Sequence, residues 1–133
     1  MLSISVSRED ILDLHDLVLE NSGTPGIPGV LNLGMLDSCV EKYGEGDPWS
    51  PPIEDRFEKV AALLRCLILF HPFVDGNKRT AIVTASTLLR KAGYMFECEI
   101  EEVIAVLIQV ALGTVEVQEI TEWLRGHSNP IVI

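Results

Sequence analysis

The chain has 133 residues, of which 47% are hydrophobic and 23% charged, so it fits one globular domain (1–133) and argues against long disordered stretches. Its net charge of −10 disfavours nucleic acid and anionic membranes as partners, because both are bound by clustered Lys and Arg. The longest apolar run, 103–112, is too short to span a bilayer, and the N-terminus lacks a basic signal segment, so we expect a cytoplasmic protein.

The first half of the chain predicts one helix followed by a loop-rich segment. Ser7 with Asp10 three residues later is typical of a helix N-cap, and apolar residues at helical spacing continue to about Glu20. Five of the seven prolines and six of the ten glycines fall in 23–52. This composition predicts a mobile region with one short helix near 34–43 and a candidate strand at 27–32.

The second half predicts four helices, at 56–70, 78–92, 100–112 and 116–125. Pro72 ends the first of them, and Gly93 follows the second. The third is apolar on nearly all sides, so we expect it to be the central buried helix. Only 94–98 offers a further strand, and the chain as a whole predicts an all-α fold with at most short strands.

The cysteines and two of the histidines carry no recognisable pattern. Cys39, Cys66 and Cys98 are odd in number and include no C-x-x-C pair, which argues against a disulfide framework and a thiolate metal site. We therefore expect three buried, reduced thiols. His15 and His127 are isolated from other polar candidates, and we expect neither to have a functional role.

One polar string, His71-Pro-Phe-Val-Asp-Gly-Asn-Lys-Arg-Thr80, stands between two of the predicted helices. Pro72 and Gly76 favour a tight loop there. A helix that begins after such a loop presents unpaired backbone N–H groups and the positive end of its dipole, which together bind anions. Phosphate is the anion that this arrangement fits best.

The side chains of the string supply the groups that phosphoryl transfer needs. Arg79 can bind phosphate oxygens, Asn77 can donate from its amide, and Asp75 can hold a Mg²⁺ ion that bridges those oxygens. His71 is the candidate general base, because its unperturbed pKa lies near neutrality. Alone, each residue is an ordinary turn residue or a solvated charge; their conjunction favours phosphoryl transfer. A metal-only site is disfavoured because His71 and Asp75 share no helix face and no third ligand follows.

The string closely resembles the HPFx(D/E)GN(G/K)R signature of Fic-domain proteins, and Lys78 in its eighth position is similar to the death-on-curing (Doc) branch. Softer similarities to that branch lie in the segments 23–27, 34–38, 57–62, 93–94 and 123–124. The resemblance implies a compact Fic-type helical bundle. It also implies that the Pro- and Gly-rich segment 24–50, which we call the flap, docks the target.

The resemblance also implies a role for each residue of the string. His71 would be the catalytic base, Asp75 the metal ligand, and the nucleotide and phosphate would be bound by Gly76, Asn77, Lys78 and Arg79. AMP-transferring members have glycine at the position of Lys78. In the Doc-like branch the lysine reverses the nucleotide, so that the γ-phosphate of ATP is transferred to a protein hydroxyl. The implied substrate is ATP and the implied cofactor Mg²⁺.

The resemblance further implies partners. The target class of the Doc-like branch is a translation elongation factor, and the role is the toxin of a toxin–antitoxin pair. Many Fic proteins carry an inhibitory (S/T)-x-x-x-E-(G/N) helix, but the nearest string here, 50–55, contains prolines and ends differently. Control is therefore expected from a small antitoxin whose helix covers the groove. Two alternatives stay open: an AMP-transferase that tolerates Lys78, and a catalytically silent binding module.

Overall fold

A computed structural model describes residues 4–21, 26–45 and 53–132. Within them the helices are α1 Arg8–Glu20, α2 Leu33–Cys39, α3 Arg56–Phe70, α4 Asn77–Lys91, α5 Ile100–Ala111 and α6 Val117–Gly126. A π-helical turn, Val40–Gly44, extends α2, and two short strands are β1 Tyr94–Phe96 and β2 Ser128–Pro130. The predicted all-α fold class is confirmed. None of the described helices combines the length and apolar character needed to cross a membrane.

The centre of the core is α3, which packs against α2, α4, α5 and α6. Its buried side chains run almost without interruption from Val60 to Ile68. Because helices surround it, nearly every face of α3 is apolar. His71 caps the end of α3, so the central helix of the core delivers the first residue of the polar string.

The expectation that α5 is the central buried helix was wrong. Only Val103, Leu107 and Val110 of this helix are buried. On its outer face Ile100, Ile104 and Ile108 are 63%, 52% and 45% exposed. A helix that is apolar on nearly all sides has two opposite apolar faces. In α5 only one of these faces packs against the core, and the other borders an open cavity.

The first helix begins as predicted. The Ser7 hydroxyl accepts from the Asp10 N–H at 3.1 Å, and the Asp10 carboxylate accepts from the Ser7 N–H at 3.0 Å, which together form a capping box. The helix then packs on α4 and buries Ile11 and His15. This packing places His15 beside the start of α4.

The two strands pair antiparallel, with Tyr94 opposite Pro130 and Phe96 opposite Ser128. The strand at 94–96 confirms part of the predicted 94–98 segment, whereas β2 was missed because Ser-Asn-Pro has the composition of a turn. The candidate strand at 27–32 forms only an isolated bridge between Val30 and Phe73. Within the described residues 26–45, the flap therefore meets the polar string without forming a sheet.

The prediction of three reduced thiols was wrong for two of them. Cys39 and Cys66 form a disulfide with their Cα atoms 5.8 Å apart, and Cys98 is free. The bonded pair is 27 residues apart in sequence and meets only because α2 packs on α3. The spacing of the cysteines in the sequence therefore does not predict this contact.

The string 50–55, which lacked the inhibitory pattern, lies partly outside the described residues. Its described end caps α3: the Asp55 carboxylate accepts from the N–H groups of Phe57 at 2.9 Å and Glu58 at 3.3 Å. Arg125 of α6 pairs with Asp55 and lies over the Phe57 ring, 5.3 Å from its centroid. These contacts fix the start of α3 against α6.

Candidate active site

The polar string forms a tight loop, residues 71–76, between α3 and α4. His71 ends α3 with φ +50° and ψ +58°, and Gly76 precedes α4 with φ +79°. Among the described residues His71 is the one non-glycine with positive φ. Such a conformation costs a side-chain-bearing residue about 1–3 kcal/mol and is concentrated at functional sites, so the surrounding contacts must hold it.

A carboxamide clamp closes the loop. The Asn77 Oδ1 accepts from the Phe73 N–H, and the Asn77 Nδ2 donates to the Phe73 carbonyl, both at 2.9 Å. Asn77 is 6% exposed and Phe73 1%, so both bonds are shielded from water. A buried amide needs both kinds of partner, and Phe73 supplies them. Asn77 therefore fixes the conformation of the loop, and this role does not depend on a bound ligand.

His15, for which we expected no functional role, contacts the loop from the core side. Its ring stacks on Phe73 with centroids 3.8 Å apart and planes inclined by 8°. Its Nε2 donates to the Asp75 carbonyl at 2.8 Å. His15 is 3% exposed and 60 residues from Asp75 in sequence. Nothing in the local sequence signals a contact over that separation; only the packing of α1 on α4 creates it.

The Asp75 carboxylate is anchored by backbone amides. It accepts from the Gly76 N–H at 2.8 Å and from the Ile27 N–H at 3.2 Å. These bonds, led by that from Ile27, and the nearby Arg79 hold the pKa of Asp75 below its usual 3.8. Because the folded pKa is depressed, this stabilisation of the loop is present above pH 3.8 and is lost as the pH falls through the lower folded value.

The described start of the flap runs along the loop. The Pro72 carbonyl accepts from the N–H groups of Leu31 at 2.7 Å and Asn32 at 3.0 Å, and the Val74 N–H donates to the Gly29 carbonyl at 3.2 Å. A Cβ at Gly26 would lie 3.2 Å from the Asp75 Oδ2. The flap thus covers one side of the loop through its backbone.

The other side of the loop borders a cavity of about 430 Å³. One wall carries every predicted site residue: His71, Asp75, Gly76, Asn77, Lys78 and Arg79. The opposite wall is apolar and comes from α5, with Ile100, Ile104, Leu107 and Ile108. The structure therefore brings all the predicted site residues together, and it adds an apolar wall that the string itself did not indicate.

The start of α4 faces this cavity without a side-chain cap. Gly76 offers no capping oxygen, so α4 has no side-chain cap, and the carboxylate at this helix end, Asp75, bonds the Gly76 N–H rather than the first turn. Lys78 and Arg79 are exposed and form no ion pair within the described residues. Backbone donors, a dipole and two cations give this wall the chemistry that anion binding needs.

Asp75 is the residue of this wall that can hold a divalent cation. Its carboxylate is ionised at neutral pH, and each oxygen that accepts one backbone N–H keeps a second lone pair. Mg²⁺ is commonly bound by one or two carboxylates together with substrate phosphates. The Asp75 carboxylate therefore fits a Mg²⁺ ion whose remaining ligands are water and phosphate oxygens.

Known proteins are similar to this chain in sequence and in fold. The sequence model of the Fic/DOC family matches residues 5–89. "Protein kinase doc" from Escherichia phage P1 is 28% identical over 120 residues, which cover 90% of this chain and 92% of that protein. "Toxin Doc" from Mycolicibacterium smegmatis is 27% identical over 125 residues, 92% of each chain. A solved structure of Fic-1 from C. elegans superposes with a TM-score of 0.66 at 25% identity, over 93% of this chain and 41% of that one.

Replacing His15 tests its support of the loop. His15→Leu removes the donor to the Asp75 carbonyl and the stack on Phe73, so it should lower the free energy of unfolding by about 1–3 kcal/mol. The loop amides of Phe73 and Gly76 should also exchange faster with deuterium. Urea unfolding and hydrogen exchange measure the two effects.

The exposed neighbour Asp16 on the same helix provides the control, since Asp16→Asn should change stability by no more than about 0.5 kcal/mol. A His15→Leu protein with unchanged stability and unchanged exchange at the loop would contradict the supporting role.

Proposed function

The chain belongs to the Fic/DOC family, and from this premise we propose that it is a Doc-like protein kinase that transfers the γ-phosphate of ATP to a hydroxyl of a protein target. The observation that carries the proposal is the position of Lys78. This exposed lysine lies in the first turn of α4 and lines the cavity beside the uncapped helix start. An ammonium there pairs with phosphate charge, and its stem occupies space that an α-phosphate would need.

The phosphate groups bind at the first turn of α4 in this account. Backbone N–H groups and the Arg79 guanidinium hold the oxygens of the terminal phosphate, and Lys78 neutralises neighbouring charge. When Mg²⁺ is bound at Asp75, it neutralises charge on the phosphate oxygens. Asn77 keeps the loop closed through Phe73, so these donors are in place before the nucleotide arrives.

His71 acts as the general base at the lip of the cavity. The target hydroxyl oxygen forms a bond to the γ-phosphorus, and the bond from that phosphorus to the β,γ-bridging oxygen breaks, which releases ADP. The hydroxyl proton passes to the neutral His71 imidazole. The left-handed conformation of His71 turns the chain out of α3 immediately before the loop. One product is a phosphoprotein and the other is ADP.

We further propose that the protein is a cytoplasmic toxin controlled by an antitoxin. One curated relative is named a toxin, and α5 presents the exposed residues Ile100, Ile104 and Ile108 at helical spacing beside the cavity. An apolar stripe of this kind suits the apolar face of a partner helix. The net charge of −10 favours basic segments in that partner. The proposed target is a translation elongation factor, in keeping with the Doc-like branch.

The His71 role is tested by a variant that keeps the backbone conformation. His71→Asn removes the base, yet asparagine tolerates positive φ nearly as well as any side chain. We expect phosphate transfer to fall by about 10²–10⁴-fold with the fold intact, as judged by circular dichroism and a single-turnover assay. Unchanged transfer by the folded variant would reject His71 as the base.

The position of Lys78 determines which phosphate is transferred. With ATP labelled in parallel at the α- or the γ-phosphate, only the γ-label should appear on the target. Lys78→Gly should weaken γ-transfer and open the space for α-label transfer, because it removes both the charge and the stem.

Lys91→Gly, at the far end of the same helix, controls for the loss of a cation and for a glycine in α4. It should leave the label pattern unchanged. Predominant α-labelling by the unmodified protein would replace the kinase proposal with the AMP-transferase.

The antitoxin proposal is tested by co-expression with each short reading frame that genome sequencing finds next to the gene. Expression of the chain alone should arrest growth, and co-expression should restore growth and yield a co-purifying complex. Ile104→Glu should weaken that complex by more than about tenfold, because it puts a charge into the apolar stripe. Gln109→Glu, on another face of α5, is the matched control. Harmless expression of the chain alone and purification without a small partner would contradict the proposal.

A further inference from the structure

Away from the cavity, one group of metal-ligating side chains converges within the described residues. The Cys98 Sγ lies 2.8 Å from the Glu102 Oε2, and the His127 Nε2 lies 2.9 Å from the same oxygen. The three ligand atoms all lie within 4.8 Å of one another. Thiol, carboxylate and imidazole are the three side-chain ligands that zinc uses in proteins.

The fold brings these residues together from three segments. Cys98 lies two residues beyond β1, Glu102 lies in the first turn of α5, and His127 caps the end of α6. The antiparallel pairing of β1 with β2 brings the segment after β1 beside the segment before β2. The Glu97 N–H extends this pairing by donating to the His127 carbonyl at 2.8 Å. The absence of a C-x-x-C pair therefore gave no information about this cluster, because its ligands are not close in sequence.

The imidazole of His127 is oriented as a metal ligand. Its Nδ1 lies 2.9 Å from the Trp123 carbonyl, and because a carbonyl only accepts, the proton sits on Nδ1. In a neutral ring the lone pair of Nε2 then points at the Glu102 carboxylate, which is repulsive unless a cation or a second proton lies between them. An N–H bound to a backbone carbonyl opposite a coordinating nitrogen is the usual outer-shell arrangement of a metal-binding histidine.

We propose that Cys98, Glu102 and His127 bind one Zn²⁺ ion, with a water molecule as the fourth ligand. Zinc bonds of about 2.3 Å to sulfur and about 2.0 Å to nitrogen and oxygen place tetrahedral ligands roughly 3.3–3.5 Å apart. The present sulfur–oxygen separation of 2.8 Å then needs to widen by about 0.7 Å, and the nitrogen–oxygen separation of 2.9 Å by about 0.4 Å. Partial exposure of all three side chains gives them that freedom.

Aromatic side chains surround the cluster on its inner side. The Trp123 Nε1 donates to the Glu102 Oε2 at 3.1 Å, and this bond can orient the carboxylate when the ion is bound. The Phe96 ring lies 5.2 Å from that of Trp123 and 6.3 Å from that of His127. These rings pack around the imidazole and limit its movement.

Binding replaces protons with the ion. Without a cation, the Cys98 S–H donates a hydrogen bond to the Glu102 carboxylate, with 2.8 Å between sulfur and oxygen. Formation of the zinc–sulfur bond releases this proton to solvent. The ion then joins the start of α5 to the end of α6, and α5 is the apolar wall of the cavity. The site is independent of the proposed kinase activity.

The test is a metal titration of the chelator-treated full chain, with the Cys39–Cys66 disulfide intact and Cys98 as a free thiol, in a Trp49→Phe background in which Trp123 is the one remaining tryptophan. Co²⁺ replaces Zn²⁺ as the spectroscopic probe. One equivalent of Co²⁺ should produce a thiolate-to-metal absorption band and change the Trp123 fluorescence, and one equivalent of Zn²⁺ should abolish the band.

Two conservative variants locate the ligands. Cys98→Ser should eliminate the thiolate band while its hydroxyl still donates to Glu102, and His127→Gln should weaken Zn²⁺ binding by more than about tenfold. Glu101→Gln, one position before the ligand on α5, and Asp75→Asn, which removes the carboxylate of the loop, should bind Zn²⁺ like the parent. No thiolate band in the parent protein, or unchanged Zn²⁺ affinity in either ligand variant, would overturn the site and leave a Glu102–His127 ion pair.

Discussion

The two hydrogen bonds between the Asn77 carboxamide and the backbone of Phe73 are the constraint on which the candidate active site depends. They join the first turn of α4 to the middle of the loop, so the loop is closed over a span of four residues. His15 fixes the same loop from the core by stacking on Phe73 and donating to the Asp75 carbonyl. With its apolar anchor and its backbone tied down, the loop can keep His71 at positive φ and leave the start of α4 open to an anion.

The rest of the fold positions that loop and shapes what lies beside it. The central helix α3 is enclosed by other helices and ends at the loop, while α1 brings His15 beneath it. The peripheral helix α5 buries one apolar face and presents the other to the cavity. A polar wall facing an apolar wall suits a nucleotide phosphate on one side and a protein surface on the other. An acidic net charge is compatible with an anion bound here, because the cations Lys78 and Arg79 are concentrated at the start of α4.

Features that depend on neighbours in sequence could be predicted, and features that depend on packing could not. The helix boundaries and the string 71–80 are local, and all the site residues taken from that string line one cavity. The His15 contact joins residues 60 apart in sequence, and the Cys39–Cys66 pair joins residues 27 apart. Neither contact can be predicted from the spacing of residues along the chain. The burial of α5 was misjudged for a related reason: hydrophobicity shows that a surface is apolar, without showing whether the core or a partner covers it.

The central claim is that the loop and the start of α4 bind the terminal phosphate of ATP next to His71. A crystal structure of the protein with Mg²⁺ and a non-hydrolysable ATP analogue tests it most directly. The account predicts the γ-phosphate at the first turn of α4, contacted by Lys78 and Arg79, with Mg²⁺ on Asp75. An α-phosphate in that position, or a nucleotide bound outside the cavity, would contradict it.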